Sequence, residues 1–476
     1  MINLFIILSV YFVSFTDKPE KSAPALSERA VEQRAKWGIE TDEKDYPVCT
    51  MYLNELRKAG ASIYHTSRWF NGATVEMDET TTEKVAQLPF VTNVEMTRDN
   101  ADPRFAPKHL RTPSHRIKAD EIVVHTDAQL NLYNLKPLHE AGYEGQGILM
   151  AFCDGGFYNA NEQIGFRPEE LELGHFDFTD DDKYGYDFYG AEGLHGTMCL
   201  STVTGLLQNF KGAATQSQYY LMRSEENDTE SPKEMDNLVA AMEKADSLGV
   251  NIFSVSLGYA YFDNAAWDVP KSAFDGKTVR CSRAADIAAR KGMLVCIAAG
   301  NEGDEGGNPP HTLGIPGDAD SILTVGAVGT DSVVGYFSSY GPTSDGRIKP
   351  EVCSVGVQAI CIHPNLGIVS GNGTSYATPL LAGFAAALWS ALPDENAMQI
   401  RERIIRSSDR YTNPDTHNYK YGYGIPDAWK AYKMELPQGM ESVQHSEVSV
   451  QKVLRDGQLL IMRGEQVYNI AGQRVQ

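Results

Sequence analysis

Cysteine is scarce: seven in 476 residues, at 49, 153, 199, 281, 296, 353 and 361, with no C-x-x-C pair. That scatter excludes a zinc knuckle or thioredoxin-type centre and offers no disulfide framework. Most of these residues lie in apolar runs such as Leu294-Val295-Cys296-Ile297, where a free thiol behaves as a small buried hydrophobe. Basic charge is also short, since 42 Lys+Arg face 63 Asp+Glu for a net charge of −21. A surface so acidic argues against nucleic acid or an anionic membrane as the main partner. No apolar run is long enough to span a bilayer. The longest at the N-terminus, Leu4 to Phe15, suits instead the hydrophobic part of a secretory signal within residues 1–25, although no Lys or Arg precedes it; a frayed tail is the other reading. The remaining composition, 42% hydrophobic and 22% charged with 42 Gly and 22 Pro, excludes disordered, collagen-like and coiled-coil chains. The length allows two to four domains.

Residues 46–98 read as a small α+β module. A helical period over Met51–Ala59 stops at Gly60, two alternating strands flank Asn71-Gly72, and Thr80–Glu83 opens a second helix before a strand at Phe90–Met96. Residues 99–128 are polar, with Pro103, Pro107, Pro113 and the basic Lys108, Arg111, Arg116 and Lys118, and read as an exposed linker open to proteolysis. From 129 to 433 short apolar strands (148–153, 217–222, 250–257, 293–299 and 322–328) alternate with helical stretches (234–248, 282–291 and 376–391). That alternation predicts an α/β fold, a doubly wound parallel sheet covered on both faces, with ligand chemistry at the carboxyl ends of its strands.

Four such ends carry reactive groups: Asp154-Gly155-Gly156, His195-Gly196-Thr197, Gly300-Asn301, and Gly373-Thr374-Ser375 at the start of a helix. Singly, each has a bland explanation: a turn aspartate, a structural histidine, turn chemistry, an N-cap. Together they supply every group of one apparatus. A serine hydroxyl needs an imidazole base, the imidazole needs a carboxylate to hold its tautomer and its charge, and an oxyanion needs N–H donors. Ser375 at a helix start gains backbone donors and the positive end of the helix dipole. Pro379 is expected in the first turn of that helix, where its missing N–H is tolerated.

These segments, with Ala298-Ala299-Gly300-Asn301, Ser254-Val255-Ser256-Leu257-Gly258, Phe337–Pro342 and Gly373-Thr374-Ser375-Tyr376-Ala377-Thr378-Pro379, resemble the signature blocks of subtilisin-like serine endopeptidases over about residues 129–433. The resemblance implies a subtilisin-like fold, with Asp154 as orienting carboxylate, His195 as base then acid, and Ser375 as nucleophile. Asn301 and the Ser375 N–H would form the oxyanion hole, and Ser256, Leu257, Gly258, Ala298, Ala299 and Gly300 would line the substrate cleft. Gly155, Tyr376 and Ser354-Val355-Gly356 depart from the commoner residues of those blocks without removing a reactive group. The 46–98 module is similar to the family's propeptide, a ferredoxin-like domain that assists folding and inhibits until cut, here within 97–128; a permanent interaction domain is the other reading.

The resemblance further implies protein or peptide substrates, the chain's own propeptide as inhibitor, no cofactor, and a secreted or cell-surface location. Calcium is possible, but Asp180-Asp181-Asp182 with Gly185 lacks the acidic twelfth position of a calcium loop, so no metal site is assigned. Residues 434–476 end in two short strands around Arg463-Gly464-Glu465, as a sorting tail similar to those of secreted Bacteroidota proteins or as a plain packing hairpin. A catalytically silent scaffold of the same fold is the competing function. A nucleotide-binding α/β enzyme is discounted, because Asp154-Gly155-Gly156 is no G-x-G-x-x-G.

Overall fold

The computed structural model describes residues 8–19, 22–99, 126–179, 187–227, 229–303, 313–413, 417–436 and the strands of 450–469. Two units follow one another, Met1–Glu435 and Leu436–Gln476.

The first unit is built on a seven-stranded sheet in which every neighbouring pair is parallel. Across the sheet the strands run Val352–Val355, Leu323–Val328, Leu294–Ala298, Ile252–Val255, Leu149–Asp154, Gln218–Arg223 and Glu172–Asp177. Alternate residues serve opposite faces. Met150 and Phe152 pack towards the helix Thr374–Ala391, whereas Leu149, Ala151 and Cys153 pack towards the helices Pro232–Leu248 and Arg280–Arg290. Burial on both sides is why these strands read as unbroken apolar runs. The two outermost strands escape the sequence pattern. Val352–Val355 is only four residues long, and Glu172–Asp177 is half exposed at the edge, so it carries no apolar run. All seven cysteines are buried free thiols.

The order of winding reverses between Leu149–Asp154 and Ile252–Val255, which are adjacent in the sheet but far apart in sequence. A crevice opens at such a switch point, beyond the carboxyl ends of the two strands. Asp154 closes the first of these strands and Ser256 follows the second.

The N-terminal module is larger than residues 46–98. Its antiparallel sheet runs Ser62–Ser67, Gly72–Met77, Ser9–Phe15, Val91–Arg98, with helices Thr50–Ala59 and Glu79–Ala86. The β-α-β-β-α-β order of a ferredoxin-like domain is thus completed by Ser9–Phe15, an inner strand paired on both edges. The expected signal within 1–25 is therefore corrected over this stretch. Val10, Phe12, Val13 and Phe15 are buried in the folded domain, and an inner strand needs the same apolar composition as a leader. Gly60 ends the first of the two helices with φ +112°, and Asn71 takes φ +46° in the hairpin turn, both places where a left-handed backbone favours Gly or Asn.

This domain docks on the helices Pro232–Leu248 and Arg280–Arg290. Glu243 accepts from the Ser67 hydroxyl (2.6 Å) and from the backbone N–H of Arg68 (2.9 Å) and Trp69 (3.2 Å). Arg280 pairs with Glu95 and Asp236, both at 2.8 Å, beneath the Phe12 ring. Between the first strand and the first helix of the sheet domain, residues 22–46 leave it and run past the amino ends of the larger sheet's strands, where Arg29 bonds Gly249 and Asn251, with their own helix Glu28–Trp37. The last strand ends at Arg98, bonded to Glu226 at 2.8 Å, just past the carboxyl end of Gln218–Arg223. The expected linker lies almost wholly outside the described residues, as does the stretch Asp180–Asp182 with Gly185.

The second unit holds three antiparallel strands, Val450–Arg455, Gln458–Arg463 and Gln466–Asn469, one more than the hairpin read from sequence. Among the described residues no helix is long and apolar enough to cross a membrane.

Candidate active site

Asp154 and His195 meet at the crevice. The Nδ1–H of His195 reaches both carboxylate oxygens of Asp154, at 2.9 and 3.0 Å, and Asp154 also accepts from the Gly155 N–H at 2.9 Å. His195 is the second residue of the helix Leu194–Thr204, which can crowd the strand end only because its neighbours lack side chains. A Cβ on Gly196 would fall 2.2 Å from the Gly156 carbonyl and 3.0 Å from the Asp154 Cβ. Gly156 in turn takes φ +129°, a conformation open mainly to glycine.

Ser375 is the second residue of the helix Thr374–Ala391. Asn301, just past the strand Leu294–Ala298, anchors the helix start. The Thr374 N–H donates to Asn301 Oδ1 at 2.9 Å, and the Thr374 hydroxyl lies 3.0 Å from the same oxygen. Those donors fix the amide so that Nδ2 faces the other way. A Cβ on Gly373 would lie 3.6 Å from the Ser375 nitrogen and 3.8 Å from Asn301 Nδ2, so both N–H groups border the space Gly373 leaves open. Pro379 does not fall in the first turn as expected but inside the helix.

The Ser375 hydroxyl is turned to the Ser256 carbonyl, 3.3 Å away, and is not bonded to His195. The His195 Nε2 instead has Cys199, one turn along its own helix, with Sγ at 3.8 Å. The i, i+4 spacing of His195 and Cys199 in a helical segment would have revealed this neighbour in the sequence.

The other sequence-picked residues form two rims. Ser256 is buried, Leu257 half-buried and Gly258 exposed on the segment leaving Ile252–Val255. Ala298, the last residue of the strand Leu294–Ala298, and Ala299 after it are buried, and Gly300 is half-buried. A bridge joins them: the Gly314 N–H donates to the Ala299 carbonyl (2.9 Å), while Ile315 and Tyr259 exchange backbone bonds at 2.8 and 2.9 Å. A Cβ on Gly258 would lie 3.1 Å from the Gly314 Cα, so the absence of a side chain at Gly258 lets the two backbones approach there.

Burial disfavours the charged form of His195, but the Asp154 carboxylate against it more than offsets that and holds its pKa well above the ordinary histidine value. Burial pushes the Cys199 thiol up, so it remains protonated at neutral pH. Glu225 lies behind Gly155, accepts from the Tyr259 hydroxyl at 2.5 Å, and is driven well above the usual carboxylate range by burial and then by Glu230. Sequence reading singled out neither Glu225 nor Tyr259.

A carboxylate-bound imidazole, a serine at a helix start and N–H donors at one switch point are the parts of acyl transfer. Comparison with known proteins agrees. Subtilisin DY of Bacillus licheniformis is 29% identical over 289 residues, covering 60% of this chain and 90% of that protein. Subtilisin E of Bacillus subtilis (strain 168) is 25% identical over 378 residues, 78% of this chain and 83% of its own. Serine protease AprX of the same strain is 26% identical over 314 residues, 58% and 65%. A crystal structure of MycP1 from the ESX-1 type VII secretion system shares the fold, with a TM-score of 0.56 at 18% identity over 71% of this chain and 94% of that one. The Bacteroidota peptidase S8 propeptide profile matches residues 10–112, which takes in the inner strand Ser9–Phe15 from its second residue. Because the subtilase profile matches residues 101–424, well over half the chain and all four reactive segments, the chain belongs to the subtilase family and is a serine-type endopeptidase.

Proposed function

We propose that Asp154, His195 and Ser375 are the catalytic triad of this endopeptidase. The observation that carries the reading is the two-oxygen grip of Asp154 on His195 Nδ1, which leaves Nε2 as the only ring nitrogen able to take a proton. In the reaction the Ser375 hydroxyl leaves the Ser256 carbonyl and turns to Nε2. Its oxygen attacks the peptide carbonyl as the proton passes to His195, and the tetrahedral oxyanion accepts hydrogen bonds from the Ser375 N–H and Asn301 Nδ2. Collapse breaks the C–N bond, and the proton moves from Nε2 to the leaving amine. Water then repeats the sequence on the acyl-enzyme and frees the acid. A rotation of the hydroxyl before attack is ordinary for a site without substrate, where such hydrogen bonds are commonly unformed.

Ser256, Leu257, Gly258, Ala298, Ala299 and Gly300 would bind substrate in this reading by adding its extended backbone between the two rims. The protein is made as a zymogen whose ferredoxin-like domain inhibits until cut in the segment after Arg98. The ion pair of Arg98 with Glu226 supports this, since it delivers the chain to a point one residue from Glu225, which lies behind Gly155. The enzyme acts outside the cell or at its surface on protein and peptide substrates; the propeptide-plus-peptidase organisation supports export.

The test is a fluorophosphonate probe on the mature protein. One label per chain, lost together with casein cleavage in Ser375→Ala, is the expected result. A label that persists in Ser375→Ala overturns the assignment of the nucleophile. N-terminal sequencing of protein recovered from the medium tests export and cleavage after Arg98 together.

A further inference from the structure

In an α-helix each N–H bonds to the carbonyl four residues earlier. Pro379 has no N–H and lies inside the helix Thr374–Ala391, so the carbonyl left without its helical partner is that of Ser375. Ser375 is only 6% exposed, and a buried carbonyl without a donor is costly. Two side chains from outside the helix take the place of the missing donor. The Ser256 hydroxyl donates to the Ser375 carbonyl at 2.8 Å, and the Cys199 thiol donates to it at 3.2 Å.

Each donor comes from an element that matters to the site. Ser256 follows the strand beside Asp154's own, and its carbonyl holds the resting Ser375 hydroxyl. Cys199 is on the helix that carries His195, one turn further on. One carbonyl therefore ties together the nucleophile's helix, the base's helix and the cleft strand. We propose that Ser256 and Cys199 are positioning residues, which clamp the Ser375 carbonyl that Pro379 leaves unpaired and so set the separation of Ser375 from His195. The protonated thiol of Cys199 suits it to this donor role. The inference rests on Ser375 being the nucleophile only for its catalytic consequence; the clamp itself is a matter of packing.

The test is a double-mutant cycle on the full chain, matured and purified. Ser256→Ala should lower kcat about three- to tenfold with KM within about twofold, the effect of one lost neutral hydrogen bond acting on geometry. Cys199→Ala should lower kcat about threefold, and Cys199→Ser, which restores a donor, should return within about twofold of the parent. Pro379→Ala supplies the helical N–H to the Ser375 carbonyl, so in that background Ser256→Ala should cost less than about twofold. An equal loss in both backgrounds, or a change carried by KM with kcat intact, overturns the clamp.

The same cycle read on urea unfolding is independent of catalysis. A destabilisation by Ser256→Ala that shrinks in the Pro379→Ala background supports the clamp, and an additive result overturns it. A parent protein that takes no fluorophosphonate label, yet shows the non-additive unfolding, would remove the role of Ser375 and leave the clamp in place. Should Ser256→Ala not fold, the same cycle run with Cys199→Ala, at the other donor to the Ser375 carbonyl, decides: a loss that shrinks in the Pro379→Ala background supports the clamp, and an additive loss overturns it.

Discussion

Trp37 stacks on Trp389, ring centroids 5.5 Å apart and planes 28° from parallel. Trp37 closes the helix Glu28–Trp37 of the N-terminal domain, and Trp389 is near the far end of the helix that begins beside Ser375. Around this contact, Lys36 donates to the Pro393 carbonyl at 2.6 Å, Arg29 to Asn251 Oδ1 at 2.7 Å, and Arg34 to Asp246 at 2.6 Å. The domain is thus held at two places, by its sheet on the helices Pro232–Leu248 and Arg280–Arg290 and by residues 22–46 at the amino ends of the larger sheet's strands.

Trp37→Ala should leave cleavage of the precursor intact and hasten departure of the cut domain. A half-buried aromatic stack is worth about 1–2 kcal/mol, or roughly tenfold in the dissociation constant. Gel filtration at intervals after cleavage reports it; co-elution as prolonged as in the parent would show that this contact adds no affinity.

In the proposed triad His195 must be neutral to accept a proton, and Asp154, outweighing burial, holds its pKa above the ordinary histidine value of 6.5. A raised pKa keeps the ring protonated, and idle, to higher pH. The rising limb of kcat/KM against pH should therefore lie on the alkaline side of 6.5. A limb at or below that value would show that burial outweighs Asp154.

Asn301→Ala should lower kcat while KM changes little, because its Nδ2 would act only on the oxyanion. In a subtilisin the loss of such a donor costs about 10²- to 10³-fold in turnover, and the same scale is expected here. A variant within about threefold of the parent would place the oxyanion elsewhere.

Gly196→Ala should abolish activity, since its methyl would meet the Gly156 carbonyl at 2.2 Å and push His195 from Asp154. Backbone contacts of that kind cannot be relieved by a side-chain rotation, so the loss should exceed about 10²-fold, the scale of a misplacement of about 1 Å. Near-normal turnover on a peptide substrate would show that the helix Leu194–Thr204 can slide.

The places of the candidate site residues were legible because each ends or begins an element whose apolar pattern is strong: Asp154 after Leu149–Cys153, Asn301 after Leu294–Ala298, Ser375 at the start of a buried helix. The parallel sheet was legible for the same reason, apart from its half-exposed and very short edge strands. Cys199 and Ser256 were not legible as partners of the Ser375 carbonyl, because those bonds join residues far apart in sequence. Pro379 was misplaced by a turn, since no residue signals how early the helix at Thr374 begins. Ser9–Phe15 was misread because an inner strand and a leader draw on one composition, and only pairing with Gly72–Met77 and Val91–Arg98 tells them apart.

That same pairing bears on how the protein can be produced. An expression vector whose coding region opened at residue 26, on the view that everything earlier is discarded, would delete the ribbon that separates the hairpin 62–77 from Val91–Arg98. Those two pieces are not neighbours in the sheet, so the truncated domain would come apart as two edges facing water, and the protease would be synthesised without an intact folding partner. Vectors should keep residue 9 onward, and any purification tag belongs ahead of it.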